Sequence, residues 1–128
     1  MSKSLQVSIG GATDKGVKAV NQDFLGSVTP KEPQLSAKGI AMAMADGISS
    51  SKVSQIASET AVASFLEDYY CTSDSWSVKS SVQKVIKSVN SWLYAQTRNS
   101  PYRFDKDKGY ICTFSALVFK SNTAHLFH

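Results

Sequence analysis

Leu5, Val7 and Ile9 are interleaved with Ser4, Gln6 and Ser8, and this period of two predicts a half-buried strand. Gly10-Gly11 breaks the alternation, and Asp14-Lys15-Gly16 predicts a turn. The polar triplet Asn21-Gln22-Asp23 then precedes a short second strand over 24–28. Residues 29–38 carry Pro30 and Pro33 and are expected to form an exposed loop. The stretch 39–45 is apolar at nearly every position, which predicts a central strand covered on both faces. It ends abruptly in Asp46-Gly47, followed by Ser49, Ser50 and Ser51.

From Lys52 the period lengthens. Val53, Ile56, Ala57, Ala61, Phe65, Leu66 and Tyr69 recur three or four apart and predict an amphipathic helix over 52–70. One of the three serines can cap its free N–H groups. After a polar break, Val78, Val82, Val85, Ile86, Val89 and Leu93 make one stripe of a second helix over 77–97, with the lysines on its solvated face. Residues 98–109 are polar and loop-like, and 110–119 predict a strand rich in β-formers. Lys120-Ser121-Asn122 makes a tight connection into a last strand beginning at Thr123. The chain stops at His128 within that apolar pattern, so it is expected to be the N-terminal part (1–128) of a larger domain, truncated within a strand.

Composition narrows the class. The chain has 128 residues, of which 42% are hydrophobic and 19% charged, a globular balance in one domain at most. The net charge of +4 is spread over single lysines, so nucleic acid is not an expected partner. No apolar run approaches the ~20 residues of a membrane span, and 1–4 lead straight into the first strand without a signal-peptide core. Cys71 and Cys112 stand far apart without a pairing pattern, which suits a reducing, cytoplasmic setting.

Two acidic residues sit where chemistry can be held. Asp23 begins one strand and Asp46 ends another, so side chains from neighbouring strands can converge there. A strand is a rigid mount, and the glycine after Asp46 lets the backbone turn and approach a ligand closely. Hard divalent cations seek oxygen ligands of this kind. His125 and His128 read as structural, and Asp14 as a turn former.

The ordered set Asp14-x-Gly16-x-Lys18-x-x-Asn21-Gln22-Asp23, then Ala45-Asp46-Gly47, then paired helices and the strand from Tyr110 to Ala116, resembles the opening motifs of metal-dependent protein serine/threonine phosphatases, the PPM family. The form Ala-Asp-Gly-Ile-Ser-Ser-Ser is more narrowly similar to bacterial chains that fuse such a domain to a protein kinase. The resemblance implies an α+β fold, an antiparallel β-sandwich flanked by helices, present here as its N-terminal portion. It also implies hydrolysis of phosphoserine and phosphothreonine by metal-activated water, with no covalent phosphoenzyme. Two Mn²⁺ or Mg²⁺ ions would be bridged by Asp46, with the Gly47 carbonyl on one of them and Asp23 in the same centre. Lys18 would hold the substrate phosphate where the family has an arginine, losing the bidentate fork. A phosphoprotein is the implied substrate, and a kinase domain in the same longer chain the implied partner.

Gln22 stands where the family has a glutamate, and Ser49 and Ser50 replace glycines. The family's later aspartate ligands are absent from this sequence, so 1–128 alone is expected to be inactive. The alternative is a pseudo-phosphatase or regulatory module that binds a partner such as a kinase without turnover, a reading that Gln22 and Lys18 favour.

Overall fold

The computed structural model describes residues 4–17, 20–48, 52–105 and 108–128. In chain order the elements are β1 (Asp23–Val28), α1 (Gln34–Lys38), β2 (Ile40–Gly47), α2 (Lys52–Tyr69), α3 (Val78–Arg98), β3 (Cys112–Lys120) and β4 (Thr123–Phe127). The four strands form one antiparallel sheet in the order β1-β2-β3-β4. The α+β class and the antiparallel sheet with helices on its outer side are those expected from the sequence.

Alternation along β2 decides which residues meet the helices. Ala41, Ala43 and Ala45 are buried with Ala116 and Val118 of β3 against Ala61, Val62, Phe65 and Leu66 of α2. Small side chains on the central strand let α2 lie close to the sheet. Phe65 fills the space beyond them, with its ring edge-on to Phe114 at 5.2 Å. Val78, Val82 and Val85 bring α3 onto the same cluster. Ser77 caps α3 by accepting a hydrogen bond from the Ser80 N–H at 3.1 Å. The opposite face of the sheet carries Met42, Met44 and Asp46 of β2 and is left open by the helices.

Two expectations give way to tertiary structure. Residues 4–15 form no strand, despite their alternation. A strand pattern becomes a strand only beside a partner edge, and no described strand pairs with this segment. The loop over 29–38 contains the short helix α1, whose first turn is held by Glu32 accepting from the Ser36 N–H at 2.7 Å and from its hydroxyl at 2.6 Å. Lys38 is not on an exposed loop but 2% exposed. Its ammonium donates to Thr72 Oγ1 (2.6 Å), the Ser73 carbonyl (2.7 Å) and Ser81 Oγ (3.1 Å), pinning the end of α1 to the α2–α3 connection and to α3. Three acceptors offset the cost of burying the charge. The expected serine cap of α2 falls on 49–51, outside the described residues.

Tyr69 and Tyr70 tie α2 to the sheet's other end. Their hydroxyls donate to the carbonyls of Lys38 (2.6 Å) and Gly39 (2.8 Å). Burial, then the neighbouring Tyr70, pushes the Tyr69 hydroxyl up from its ordinary 10.0. Burial raises Tyr70 to about 12, against a smaller opposing backbone hydrogen bond. A raised folded value means the unfolded chain loses its proton first. The stabilisation is therefore whole below pH 10.0 and lost as pH rises to about 12. Lys38 runs the other way: burial lowers its value below 10.5, so its contribution grows with pH and is complete by then. Urea midpoints are expected to fall steeply above pH 10.5, and Tyr70→Phe should flatten that fall.

Candidate metal and phosphate site

The sheet's register brings the two predicted carboxylates together. Asp23 pairs directly with Asp46, and Asp46 pairs with Thr113 on its other side. Directly opposed residues point to the same face, with Cβ atoms about 5 Å apart. That face is the open one. Both aspartates line a concavity of about 290 Å³, with Thr113 and Ser115 on the β3 side and Ala12 and Thr13 on the other.

Local hydrogen bonds fix this corner. The Asn21 side chain accepts from the Asp23 N–H at 3.0 Å and donates to Thr13 Oγ1 at 3.0 Å, so one amide sets the start of β1 and holds the N-terminal segment beside the concavity. The expected turn at Asp14 is present, with its carboxylate accepting from the Gly16 N–H at 2.8 Å. Gln22 points the other way and is buried. Its carbonyl accepts from the Gly47 N–H (3.1 Å) and from the Ser58 hydroxyl (2.5 Å), so β1, β2 and α2 meet at one oxygen. A neutral amide suits that burial, where a carboxylate would need a paired charge.

Gly47 is required by the same meeting point. A Cβ there would lie 2.8 Å from the Ser54 carbonyl oxygen and 3.0 Å from the Gln22 Cβ. The glycine is thus what allows α2 to start against the end of β2 and hold Asp46 at the edge of the concavity. Lys18, the expected phosphate ligand, lies outside the described residues.

Two opposed carboxylates fit one side of a hard-cation site, since both offer oxygen and neither is enclosed. They do not complete it. Among the described residues no group of three or more His, Cys, Asp or Glu is placed to hold a metal ion. Cys112, across the sheet from the concavity, is no nucleophile for the job. Burial first, and the Asp46 charge second, push its thiol up and keep it protonated. A separate cavity of about 90 Å³ between α2, α3 and β3 is lined by Phe65, Ile86, Val89 and Leu93 and offers mainly packing surface.

The sequence reading did not single out Ser115 and took His128 as structural. Ser115 stands opposite Met44 on the open face, and its hydroxyl is 2.6 Å from His128 Nδ1. The signal lay in the hairpin: the pairing of Ala116 with Phe127 carries Ser115 opposite His128 at the next step.

Residues 11–128 match the family described as Protein phosphatase 2C. No curated protein sequence matches the chain. Among solved structures it is similar to the Mycobacterium tuberculosis serine/threonine phosphatase PstP/Ppp, with a TM-score of 0.60 at 21% identity. The likeness covers 86% of this chain and 40% of that one, so the chain spans well under half of the phosphatase it matches. Among the described residues no helix is long and apolar enough to cross a membrane.

Proposed function

The chain belongs to the protein phosphatase 2C family, and from that premise we propose that it supplies the N-terminal part of a metal-dependent phosphatase acting on phosphoserine and phosphothreonine. The observation that carries this reading is the pairing of Asp23 with Asp46 on the open face of the sheet. Asp46, Asp23 and the Gly47 carbonyl would hold Mn²⁺ or Mg²⁺, the remaining ligands coming from chain beyond this segment. Such ions supply activation of a water for attack at phosphorus and neutralise the charge that develops there.

The protein's own residues do the rest. Strand β2 holds Asp46 with its backbone bonded on both sides, so the carboxylate is presented without a loop's freedom. Asn21 fixes the backbone at Asp23 by accepting its N–H. Lys18 would draw the phosphate in as a point charge rather than through a fork. The substrate is a phosphoprotein in this reading, the setting cytoplasmic, and a kinase domain in the same longer chain its partner.

Segment 1–128 alone is expected to turn over little, since two carboxylates leave a cation short of ligands. The test is hydrolysis of a phosphoserine peptide with added Mn²⁺. The full-length protein should release phosphate and stop when EDTA is added, while the segment stays silent. Turnover by the segment, or EDTA-resistant turnover by the whole, would sink the proposal. A full-length protein inert with Mn²⁺ would favour the regulatory module, to which the buried neutral Gln22 also points.

A further inference from the structure

Helix α3 holds the whole of the chain's charge imbalance. It carries Lys79, Lys84, Lys87 and Arg98 and no acidic residue. The rest of the chain is balanced, so the net charge of +4 resides in this one helix. All four cations are exposed. At ~100° per residue they fall within roughly 140° of the helix circumference, on the side away from its buried valines. Tyr94, 55% exposed, shares that side. Such a face costs stability. Lys79 sits in the first turn, where the helix dipole disfavours a cation, and Lys84 and Lys87, three apart, repel each other. Among the described residues none of the four has a carboxylate partner; the ion pair present joins Lys108 to Asp105 at 3.8 Å. The charges therefore call for an acidic partner from outside the domain.

The helix runs from the Lys38 end of the sheet to the carboxylate end. Near its start Ser81 receives the Lys38 ammonium. At its finish Thr97 Oγ1 accepts from the Tyr110 N–H at 3.0 Å, three residues before Thr113, the partner of Asp46. Strand rise puts Tyr110 about 10 Å along the chain from the Asp46 row. The next turn is held to the helix end by the Ser100 N–H on the Thr97 carbonyl, and it carries Arg103 against the Phe104 ring at 4.9 Å. We propose that this outer face of α3 is a docking surface for an acidic stretch of the phosphoprotein substrate. This rests on the phosphatase reading above and names a second feature of the substrate. A phosphoserine held at Asp23 and Asp46 sends its chain over the Gly47 end of the sheet. Carboxylates about five residues away meet Arg98 and Arg103, and those beyond follow Lys87 and Lys84. Each exposed ion pair is weak, so affinity comes from engaging several at once.

The test uses the full-length protein with Mn²⁺. A phosphoserine peptide with a run of glutamates about five to twelve residues from the phosphoserine, on either side, is compared with its glutamine counterpart. The better-placed acidic peptide should show a KM lower by about tenfold at similar kcat, and the preference should shrink at high salt. Lys84→Glu/Lys87→Glu should abolish the preference and Lys84→Gln/Lys87→Gln should reduce it, while turnover of 4-nitrophenyl phosphate stays unchanged in both. No preference in the wild type, or one that the charge reversal leaves intact, overturns the proposal. Fluorescence anisotropy of the labelled acidic peptide in EDTA reads the surface without turnover. Charge reversal should weaken binding at least about fivefold, and equal binding overturns the proposal. A wild type inert on every substrate, yet binding the acidic peptide through these lysines, would refute the phosphatase reading and keep the acidic-segment site. Lysine-dependent sedimentation with phosphatidylserine vesicles, without any peptide preference, would give the face to a membrane and overturn the proposal.

Discussion

Asp46→Ala in the full-length protein is expected to lower phosphatase turnover by more than about 100-fold while leaving the fold in place. Removing a group behind a metal ligand already costs roughly 10–100-fold, and Asp46 is read as a ligand itself. Its side chain is exposed at the edge of the concavity and belongs to no part of the apolar cluster. The urea midpoint should therefore move little. Asp23→Ala should lower turnover in the same direction, and the double variant should fall little further than Asp46→Ala, because residues serving one centre are not additive. Titration with Mn²⁺ separates the roles: a lost ligand raises the metal concentration needed for half-maximal activity. An Asp46→Ala protein with near-normal turnover at the wild-type Mn²⁺ requirement would remove the carboxylate pair from the mechanism.

The second large effect is on stability and lies at the far end of the same strand. Gly39 joins α1 to β2 with φ +82° and ψ −164°, a region that residues with a side chain avoid. A Cβ there would sit 2.1 Å from the Phe119 carbonyl oxygen and 2.9 Å from its carbon. Both obstacles are backbone of the neighbouring strand, so no rotamer change relieves them. Gly39→Ala is expected to cost about 3–5 kcal/mol, combining backbone strain with overpacking. The loss is large because three ties converge here: Tyr70 on the Gly39 carbonyl, Tyr69 on the Lys38 carbonyl, and the Lys38 ammonium on Ser73 and Ser81. Chemical denaturation of Gly39→Ala beside Ser121→Gly gives the contrast. Ser121 has φ 57° in the β3–β4 turn, so glycine there relieves strain and should be neutral or mildly stabilising. An alanine at 39 within about 1 kcal/mol of wild type would mean that β2 and β3 are free to part at that end.

Local rules were strong enough to place the helices. The stripe of Val78, Val82, Val85 and Leu93 marks α3, and Ser77 caps it as a β-region serine should. The apolar run before Asp46 marks β2, and the hairpin around Ser121-Asn122 follows from its turn residues. Each depends on residues a few positions apart. Where the pattern depended on a distant partner it misled. The alternation of Leu5, Val7 and Ile9 is as regular as that of any strand, yet 4–15 form none. Lys38 looked like loop charge, and only the approach of Thr72 and Ser73 from the α2–α3 connection and of Ser81 from α3 makes its burial tolerable.

The candidate site divides in the same way. Motif order along the chain named Asp23, Asp46 and Gly47 as the residues to watch, because residue type and strand boundary are sequence properties. What brought Asp23 beside Asp46 is the antiparallel register of β1 on β2, and what set Ser115 against His128 is the register of β3 on β4. A one-residue slip in either pairing would send those side chains to the helix face. Register is chosen by the whole sheet: Ala41, Ala43, Ala45, Ala116 and Val118 must all meet α2 at once. The sequence by itself therefore determined which groups are candidates for the chemistry. The packing of α2 on the sheet decided which of them share a face.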